Sequence, residues 1–388
     1  MAGRFDPLAR AAVRGGRTTV PRPHPGPAPK APAAPLQLGP TAEAPAAPLR
    51  PADAAAIGRP GRGGEAGGRG ARTGRAPVCA RRRWAPGAPV DLGLTLGPLR
   101  RGPGDPTFRA TPDGSVWRAT RTPQGPATLR VLRTGAAAAA GAAPEITAEA
   151  WGPGADWILE QLPAMLGAGD DPAAFVPRHR LLHASHRSRP GLRLTRTGLV
   201  LESLIPTVLE QKVTADEAYR AWRRLVSQYG EPAPGSPPEL RLRVMPDART
   251  WALIPSWDWH RAGVDAKRSA AVVRAARVAN RLEEAAAMEL RQAAARLEAV
   301  PGIGPWTSAE TLQRSNGHPD AVTTGDLHLP GIVGYALAGD RDADDAAMLE
   351  LLAPYAGQRH RAARLILLAG RTPPRRTPRM PRSDIGRL

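Results

Sequence analysis

The fold of this chain is decided by the stretch LEAVPGIGPWTSA, residues 297–309. In it an apolar helix end leads into Pro-Gly-Ile-Gly, after which a second helix begins. Two glycines in four residues allow a tight turn and a close approach of the backbone to a ligand. The free amides at the start of the second helix, together with the helix dipole, favour an anion. The predicted phosphate-binding residues of this hairpin are Val300, Gly302, Ile303, Gly304, Trp306 and Thr307.

An ordinary turn between two helices, with glycine at a helix end, is the common alternative for an isolated Gly-X-Gly. The positive net charge of the chain favours the phosphate-binding interpretation. There are 54 Lys and Arg against 35 Asp and Glu, a formal net charge of +19, and the isoelectric point is near 11.4. A polyanion is therefore the expected partner, and nucleic acid is the commonest one.

A carboxylate follows the hairpin in the sequence, one helix further along the chain. Asp326, in the segment VTTGDLHL, lies 24 residues after Gly302 and just before another helical stretch. Taken alone, such an aspartate is best explained as a helix N-cap. One helix downstream of a phosphate-binding hairpin, it can instead face the sugar of a bound nucleotide, because a helix of about ten residues spans only about 15 Å.

Composition excludes several classes of protein. The single cysteine, Cys79, rules out an internal disulfide framework, a thiolate zinc site and a four-cysteine iron–sulfur cluster. No apolar run is long enough to cross a bilayer, and no secretory signal is recognisable, so we expect a cytoplasmic protein. His179, His183 and His186 have helical spacing, but the arginines around them disfavour a metal, and we predict none.

Four zones are expected along the chain. Residues 1–89 are rich in Ala, Pro, Gly and Arg and should form a disordered basic tail, with 15 Lys and Arg against 4 Asp and Glu in residues 1–83. Residues 90–190 should form a small α+β domain, with strands at 90–96, 114–120 and 127–132 and a loop or insertion in the alanine tract 136–143.

The remaining residues are predicted to be helical up to a second basic tail at 372–388. Apolar spacing from Ala218 to Tyr229 predicts a helix that stops at Gly230. The predicted fold class is thus α+β, with a small antiparallel sheet domain followed by an all-helical domain at 191–371. Further helices are expected at 265–283, 288–299, 306–316, 343–353 and 357–369.

Taken together, these motifs resemble the helix-hairpin-helix DNA glycosylases, specifically the 3-methyladenine DNA glycosylase II type. The resemblance covers residues 90–371, and its strongest parts are VPGIGPWT at 300–307 and the aspartate in Gly325-Asp326-Leu327. Supporting matches occur in the family's order and at similar spacing: RPGLRL at 189–194, LEQKVT at 209–214, GVDAK at 263–267 and APY at 353–355.

The resemblance implies base excision from duplex DNA, with the damaged nucleotide flipped into a pocket. Asp326 would be the catalytic carboxylate, stabilising the cationic sugar and positioning the attacking water. The lyases of this superfamily carry a lysine where this chain has Trp306, so a monofunctional hydrolase acting on alkylated, 3-methyladenine-like bases is expected. Gln211 and Lys212 would contact DNA, and Lys212 takes the position of the residue that fills the gap left by the flipped base, although a solvated lysine is an equal alternative.

Several other assignments leave alternatives. Trp257 and Trp259 could stack on a flat base, whereas Trp251 is expected in the core. No cofactor is expected, with a monovalent cation at the hairpin left open, and the protein should act as a monomer in association with the bacterial nucleoid. Two alternatives remain: a glycosylase of the same fold acting on another lesion, such as uracil or an oxidised purine, and a non-catalytic nucleic-acid-binding protein.

Overall fold

The alternating residues near the start of the predicted folded region form an antiparallel sheet. The computed structural model describes residues 79–134 and 145–374, and five strands there are ordered β1-β5-β4-β3-β2. One face of the sheet is apolar, with Leu129, Val131 and Ile146 buried against a helix that follows it. The strands are β1 (Cys79–Trp84), β2 (Phe108–Ala110), β3 (Val116–Thr122), β4 (Gly125–Thr134) and β5 (Glu145–Trp151).

Two expectations for this region were wrong. The tail does not extend to residue 89, because Cys79–Trp84 is an edge strand paired with β5. The predicted strand at 90–96 is instead a short helix. The Asp91 side chain accepts a hydrogen bond from the Leu94 amide at 2.8 Å and so caps this helix, and Leu92, Thr95 and Leu96 are its buried positions. Burial of the first, fourth and fifth positions is helical periodicity, which the alternation of leucines at 92, 94 and 96 concealed.

The rest of the described chain is mostly helical. A two-stranded ribbon, β6 (Glu231–Pro232) and β7 (Arg243–Val244), interrupts it. The predicted helix at 265–283 divides at Val278 into two, and the other predicted helices are present within a few residues. The helices are α1 (Leu92–Leu96), α2 (Ala155–Met165), α3 (Arg180–Arg187), α4 (Val200–Leu209), α5 (Ala215–Tyr229), α6 (Ala248–Leu253), α7 (Ser256–Arg261), α8 (Ala266–Arg277), α9 (Ala279–Glu283), α10 (Leu290–Glu298), α11 (Pro305–Ser315), α12 (Leu329–Ala338), α13 (Asp345–Leu352) and α14 (Arg359–Ala369).

Helix α4 is the centre of the larger apolar core. Nearly all of its residues are buried, and α11, α8 and α5 pack around it. Trp251 is fully buried between Trp222 and Trp259, with ring centroids 6.2 and 5.9 Å apart. This packing fixes α11, the helix that begins at the hairpin, on a rigid support.

A second apolar core joins α3 to the last three helices, α12, α13 and α14. It holds the N-terminus of α12, where the loop carrying Asp326 ends. Of the residues that the structure describes, none forms a helix long and apolar enough to cross a membrane. The predictions for residues 1–78, for the alanine tract 136–143 and for the chain after residue 374 lie outside the described residues.

Candidate active site

The hairpin connects α10 to α11 through a turn anchored in the core. Val300 and Ile303 are buried, and the Ile303 amide donates to the Val300 carbonyl at 3.0 Å. Gly302 has a φ of +97°, in the region that favours glycine, and an added Cβ would lie 2.9 Å from the Ala271 side chain. Gly304 is the N-cap of α11, with extended backbone and open space around a built Cβ. The two glycines therefore serve different purposes.

Two side chains brace this turn from outside. The Gln211 amide donates to the Gly302 carbonyl at 3.0 Å and to the Thr307 hydroxyl at 2.8 Å. The Arg274 guanidinium donates to the Pro301 carbonyl at 2.9 Å. Because carbonyls of the turn are engaged by these donors, the amides at the start of α11 remain the groups available to an anion.

The loop after α4 carries Gln211, which contacts the hairpin, and Lys212 follows it in the chain. Glu210, two residues before Lys212, forms an ion pair with the buried Arg101, with 2.9 Å between Oε1 and Nη1. Lys212 is exposed and has a φ of +55°, a conformation that costs a non-glycine residue free energy. A strained, exposed side chain held by a fixed loop is compatible with the predicted gap-filling role, which stays a prediction.

Asp326 lies beside the start of α11, the end that joins the hairpin, and both of its oxygens accept hydrogen bonds. Oδ1 accepts from the backbone amides of His328 and Leu329 at the start of α12, each at 2.8 Å. Oδ2 accepts from the indole N–H of Trp306 at 3.0 Å. Three of the roughly four acceptor positions of a carboxylate are then occupied, and one remains on Oδ2. The N-cap residue of α12 is His328, so Asp326 lies two residues before the cap, and its bonds to the helix start are compatible with a catalytic role.

The charge state of Asp326 follows from these contacts. Burial on its own raises the pKa of this carboxyl, but the His328 amide, the Trp306 indole and the Leu329 amide outweigh burial, and the pKa lies below its ordinary value. Asp326 is accordingly ionised at neutral pH. Trp306, which donates one of these hydrogen bonds, is the second residue of α11. The hairpin and the carboxylate are therefore directly connected.

A hydrogen-bond network holds the loop before Asp326. The Gln313 amide donates to the Ala321 carbonyl and to the Thr323 hydroxyl, each at 2.8 Å. Thr323 in turn donates to Glu310 at 2.7 Å. Since Glu310 and Gln313 lie on α11, the helix that carries Trp306 also fixes the approach of the chain to Asp326.

A cavity of about 410 Å³, within the size range of small-molecule sites, is lined by residues on both sides of Asp326 in the chain, although Asp326 and Trp306 do not line it themselves. Leu329, whose amide donates to Asp326, is one of its lining residues. Glu310 is another, one helical turn after Trp306. The lining residues come from three separate segments: Gly93, Leu94, Gly97 and Pro98; Glu310, Gln313, Arg314, Val322, Thr323 and Leu329; and His360, Ala363, Arg364, Leu367 and Leu368.

The structure places the two tryptophans predicted for the base pocket elsewhere. Trp259 is buried in the core, where its indole donates to the Ile254 carbonyl at 3.1 Å, so the expectation that it faces a flipped base was wrong. Trp257 is 62% exposed on the short helix α7 and does not line the 410 Å³ cavity. Trp251 is in the core, as predicted.

Two of the three histidines with helical spacing, His179 and His186, contact aromatic side chains. The His179 ring lies 2.6 Å from the Tyr355 hydroxyl, and the His186 ring packs edge-on against Phe175. Over residues 79–134 and 145–374, no cluster of three or more metal-binding side chains is found.

The charged residues of the cavity were missed by the sequence reasoning. Glu310 and Arg314 follow Trp306 by four and eight residues, so helical spacing alone could have placed them on its face of α11. His360 and Arg364 lie on α14, and nothing in their local sequence connects them with Asp326. Only the packing of α14 against α12 brings them to the site.

Comparison with known proteins agrees with the geometry. No protein-family model matches the chain. Two curated relatives, each named probable bifunctional transcriptional activator/DNA repair enzyme AlkA, come from two strains of Mycobacterium tuberculosis and are 30% identical over 171 residues. The matched region is 44% of this chain, and it spans only about a third (32%) of the length of these relatives.

Solved structures share the fold at low sequence identity. The 3-methyladenine DNA glycosylase from Archaeoglobus fulgidus aligns with a TM-score of 0.57 and 17% identity, covering 74% of this chain and 98% of that one. MBOgg1 bound to a low-affinity DNA ligand gives 0.58 and 14%, covering 75% and 95%. The 8-oxoguanine glycosylase/lyase of Clostridium acetobutylicum gives 0.56 and 12%, covering 73% and 92%. The resemblance found in the sequence is therefore confirmed: the chain has the fold of the helix-hairpin-helix DNA glycosylases, and part of its sequence is similar to AlkA.

Proposed function

We propose that this protein is a monofunctional DNA glycosylase, which hydrolyses the N-glycosidic bond of a base flipped out of duplex DNA. One observation carries the proposal. The ionised carboxylate of Asp326 is hydrogen-bonded to a residue at the end of a glycine hairpin, and Leu329, whose amide donates to this carboxylate, lines a cavity of about 410 Å³. Backbone capture, a fixed negative charge and a receptacle for a base are the parts that base excision requires.

Asp326 acts on the sugar in this proposal. As the glycosidic bond breaks, positive charge develops on the sugar, and a preorganised carboxylate stabilises it without reorganisation. The open acceptor position on Oδ2 is available to the attacking water. The hairpin contributes by holding the DNA backbone through the amides at the start of α11, a contact that carries no sequence information.

The absence of an amine at position 306 supports simple hydrolysis. The whole chain has only three lysines, Lys30, Lys212 and Lys267. A lyase needs an amine that forms a Schiff base with the sugar. At the hairpin this chain presents an indole instead, and the indole N–H is already used to hold Asp326.

The resemblance to 3-methyladenine DNA glycosylase II and the partial similarity to AlkA support an alkylated base as the substrate. A second candidate, a neutral base of another class, is favoured by the charges that line the cavity. The reaction proposed for Asp326 is the same for both. Duplex DNA is the proposed partner in either case.

A panel of synthetic duplexes tests the reaction itself. Each duplex carries one lesion: 3-methyladenine, 7-methylguanine, hypoxanthine, uracil or 8-oxoguanine. We expect release of a free base from at least one of them, an intact strand with an abasic site, and no covalent complex after borohydride treatment. Asp326→Asn is the control. Release by this variant at the wild-type rate would contradict the assignment, and a trapped adduct would contradict monofunctional hydrolysis and direct attention to Lys212.

A further inference from the structure

The 410 Å³ cavity, which reaches Asp326 through Leu329, is lined by four ionisable side chains: Glu310, Arg314, His360 and Arg364. They come from α11 and α14, so they face the cavity from two sides. The balance of their charges decides which kind of base the cavity can hold.

Glu310 is the one carboxylate that lines the cavity in the described structure, and its charge is already matched. Its Oε2 lies 2.8 Å from Nη1 of Arg314, and its Oε1 accepts a hydrogen bond from Thr323 at 2.7 Å. Both groups are largely buried, with side-chain exposure of 19% for Glu310 and 16% for Arg314. A paired, partly desolvated carboxylate has little attraction left for a cationic ligand.

Arg364 has no such partner. Its guanidinium donates to the backbone carbonyl of Leu94, a neutral acceptor, and it makes no ion pair with any residue that the structure describes. Burial, followed by the nearby charges of Arg314 and Arg361, lowers the pKa of Arg364 to about 10. The side chain therefore stays positively charged at neutral pH.

His360 adds no charge of its own. Burial, and then the positive charge of Arg364 and Arg314, holds the pKa of His360 well below its ordinary value. At neutral pH this imidazole is uncharged. With Glu310 and Arg314 cancelling, the four groups leave one net positive charge in the cavity.

We propose, on the basis of the proposed glycosylase function, that this cavity selects neutral bases bearing carbonyl oxygens and rejects cationic alkylated purines, with Arg364 as the residue that determines the choice. A carbonyl oxygen accepts a charge-assisted hydrogen bond from a guanidinium. A base with a fixed positive charge is repelled by that guanidinium, and the repulsion is strong where water is largely excluded.

The chemistry of the leaving group agrees with this selection. When the bond to a neutral base breaks, its electron pair stays with the base, which leaves as an anion, while the sugar becomes a cation. Arg364 then stabilises the anion, and Asp326 stabilises the cation. Water adds to the sugar and loses a proton, and the base anion gains one, so the sum is hydrolysis. A cationic purine leaves as a neutral molecule and gains nothing from Arg364.

The test compares excision rates within the lesion panel, each divided by the spontaneous release rate of that lesion. Hypoxanthine, uracil and 8-oxoguanine are the neutral members, and 3-methyladenine and 7-methylguanine are the cationic ones. We expect the wild-type protein to accelerate release of a neutral base most. Arg364→Gln should shift the ratio of neutral to cationic excision towards the cationic bases by about tenfold, and Arg364→Lys should restore most of it.

Arg371→Gln is the matched control, because it removes the same charge from an exposed position just after α14 and should leave the ratio unchanged. A wild-type preference for the cationic bases would overturn the inference, as would an unchanged ratio in a folded Arg364→Gln. If that variant does not fold, the wild-type ratio and Arg364→Lys decide. Excision of cationic bases alone would leave the proposed function intact, whereas release of no base from any duplex would overturn both.

Discussion

The hairpin and the cavity are built in different ways. The hairpin is a local structure, built from consecutive residues whose types fix the turn, and in the proposed function it contacts the DNA backbone, which is the same at every position. The cavity is assembled from three segments, residues 93–98, 310–329 and 360–368. In the proposed function it receives the base, the one part of DNA that differs, so we expect the hairpin to provide affinity and the cavity to provide the choice of base.

Removing the charge of Asp326 should separate the two regions most strongly. Asp326→Asn keeps size and polarity and loses only the negative charge. We expect base release to fall by about 10²- to 10³-fold, with little change in duplex affinity. Single-turnover release and binding of the same duplex, measured together, check this. A parallel loss of affinity would show that Asp326 serves the binding region instead.

The two glycines of the hairpin should behave differently. Gly302→Ala forces a residue with a side chain to a φ of +97° and a close contact with Ala271, so it should lower the free energy of unfolding by about 1–3 kcal/mol. Gly304→Ala meets open space and should leave stability nearly unchanged. It should nevertheless weaken binding to every duplex by about tenfold, because the new methyl group blocks the approach of a phosphate to the amides.

Thermal unfolding and duplex affinity of both variants provide the measurement. Because the amides are neutral, Gly304→Ala should not alter the dependence of affinity on salt. Unchanged affinity in a stable Gly304→Ala would remove the hairpin from DNA binding. A loss confined to one lesion would place the hairpin in the cavity region.

Lys212 offers a smaller effect with an internal control. Lys212 and Arg241 both have positive φ, of 55° and 49°. Replacing either with glycine should raise the free energy of unfolding by about 1 kcal/mol, because the strain is relieved. Only Lys212→Gly should slow excision from a duplex, and it should not slow excision from a single strand. Equal rates for the two variants on duplex DNA would leave Lys212 as a solvated lysine.

The N-terminal segment should contribute least. Residues 1–78 carry 12 Lys and Arg and 4 Asp and Glu, and deletion must stop there because residues 79–84 form β1. The deletion should flatten the dependence of log affinity on log salt, since fewer counterions are released on binding. Single-turnover excision at saturating enzyme should hardly change. Equal salt slopes for the two proteins would exclude this segment from DNA binding.

The same contrast explains how much could be predicted from the sequence. The hairpin, Asp326 and the helix ending at Gly230 follow from local residue types, and the structure has them where expected. The leucines at 92–96 fit a strand equally well, and only the cap by Asp91 and the packing of Leu92 and Leu96 decide for a helix. Arg364 could not be connected with Asp326, because tertiary packing alone brings α14 to α12.

The roles of the tryptophans could not be predicted from the sequence either. An indole can stack on a base or on another indole, and the sequence does not distinguish these cases. In the structure Trp259 stacks on Trp251, with 5.9 Å between ring centroids, and is unavailable to a ligand. For Trp306, the sequence indicates only that the side chain has no amine. In the structure its indole donates a hydrogen bond to Asp326.

That hydrogen bond allows the most direct test of the central claim, that an ionised Asp326 held by the hairpin residue Trp306 drives base release. A carboxyl whose pKa lies below its ordinary value is charged above that pKa, so activity should be lost as the pH falls through it. The measurement is the single-turnover rate of base release against pH for the wild-type protein and for Trp306→Phe. Loss of the indole N–H raises the pKa of Asp326, so the acid limb should move to higher pH while the plateau at higher pH is largely kept. An acid limb at the same pH in both proteins would contradict the claim.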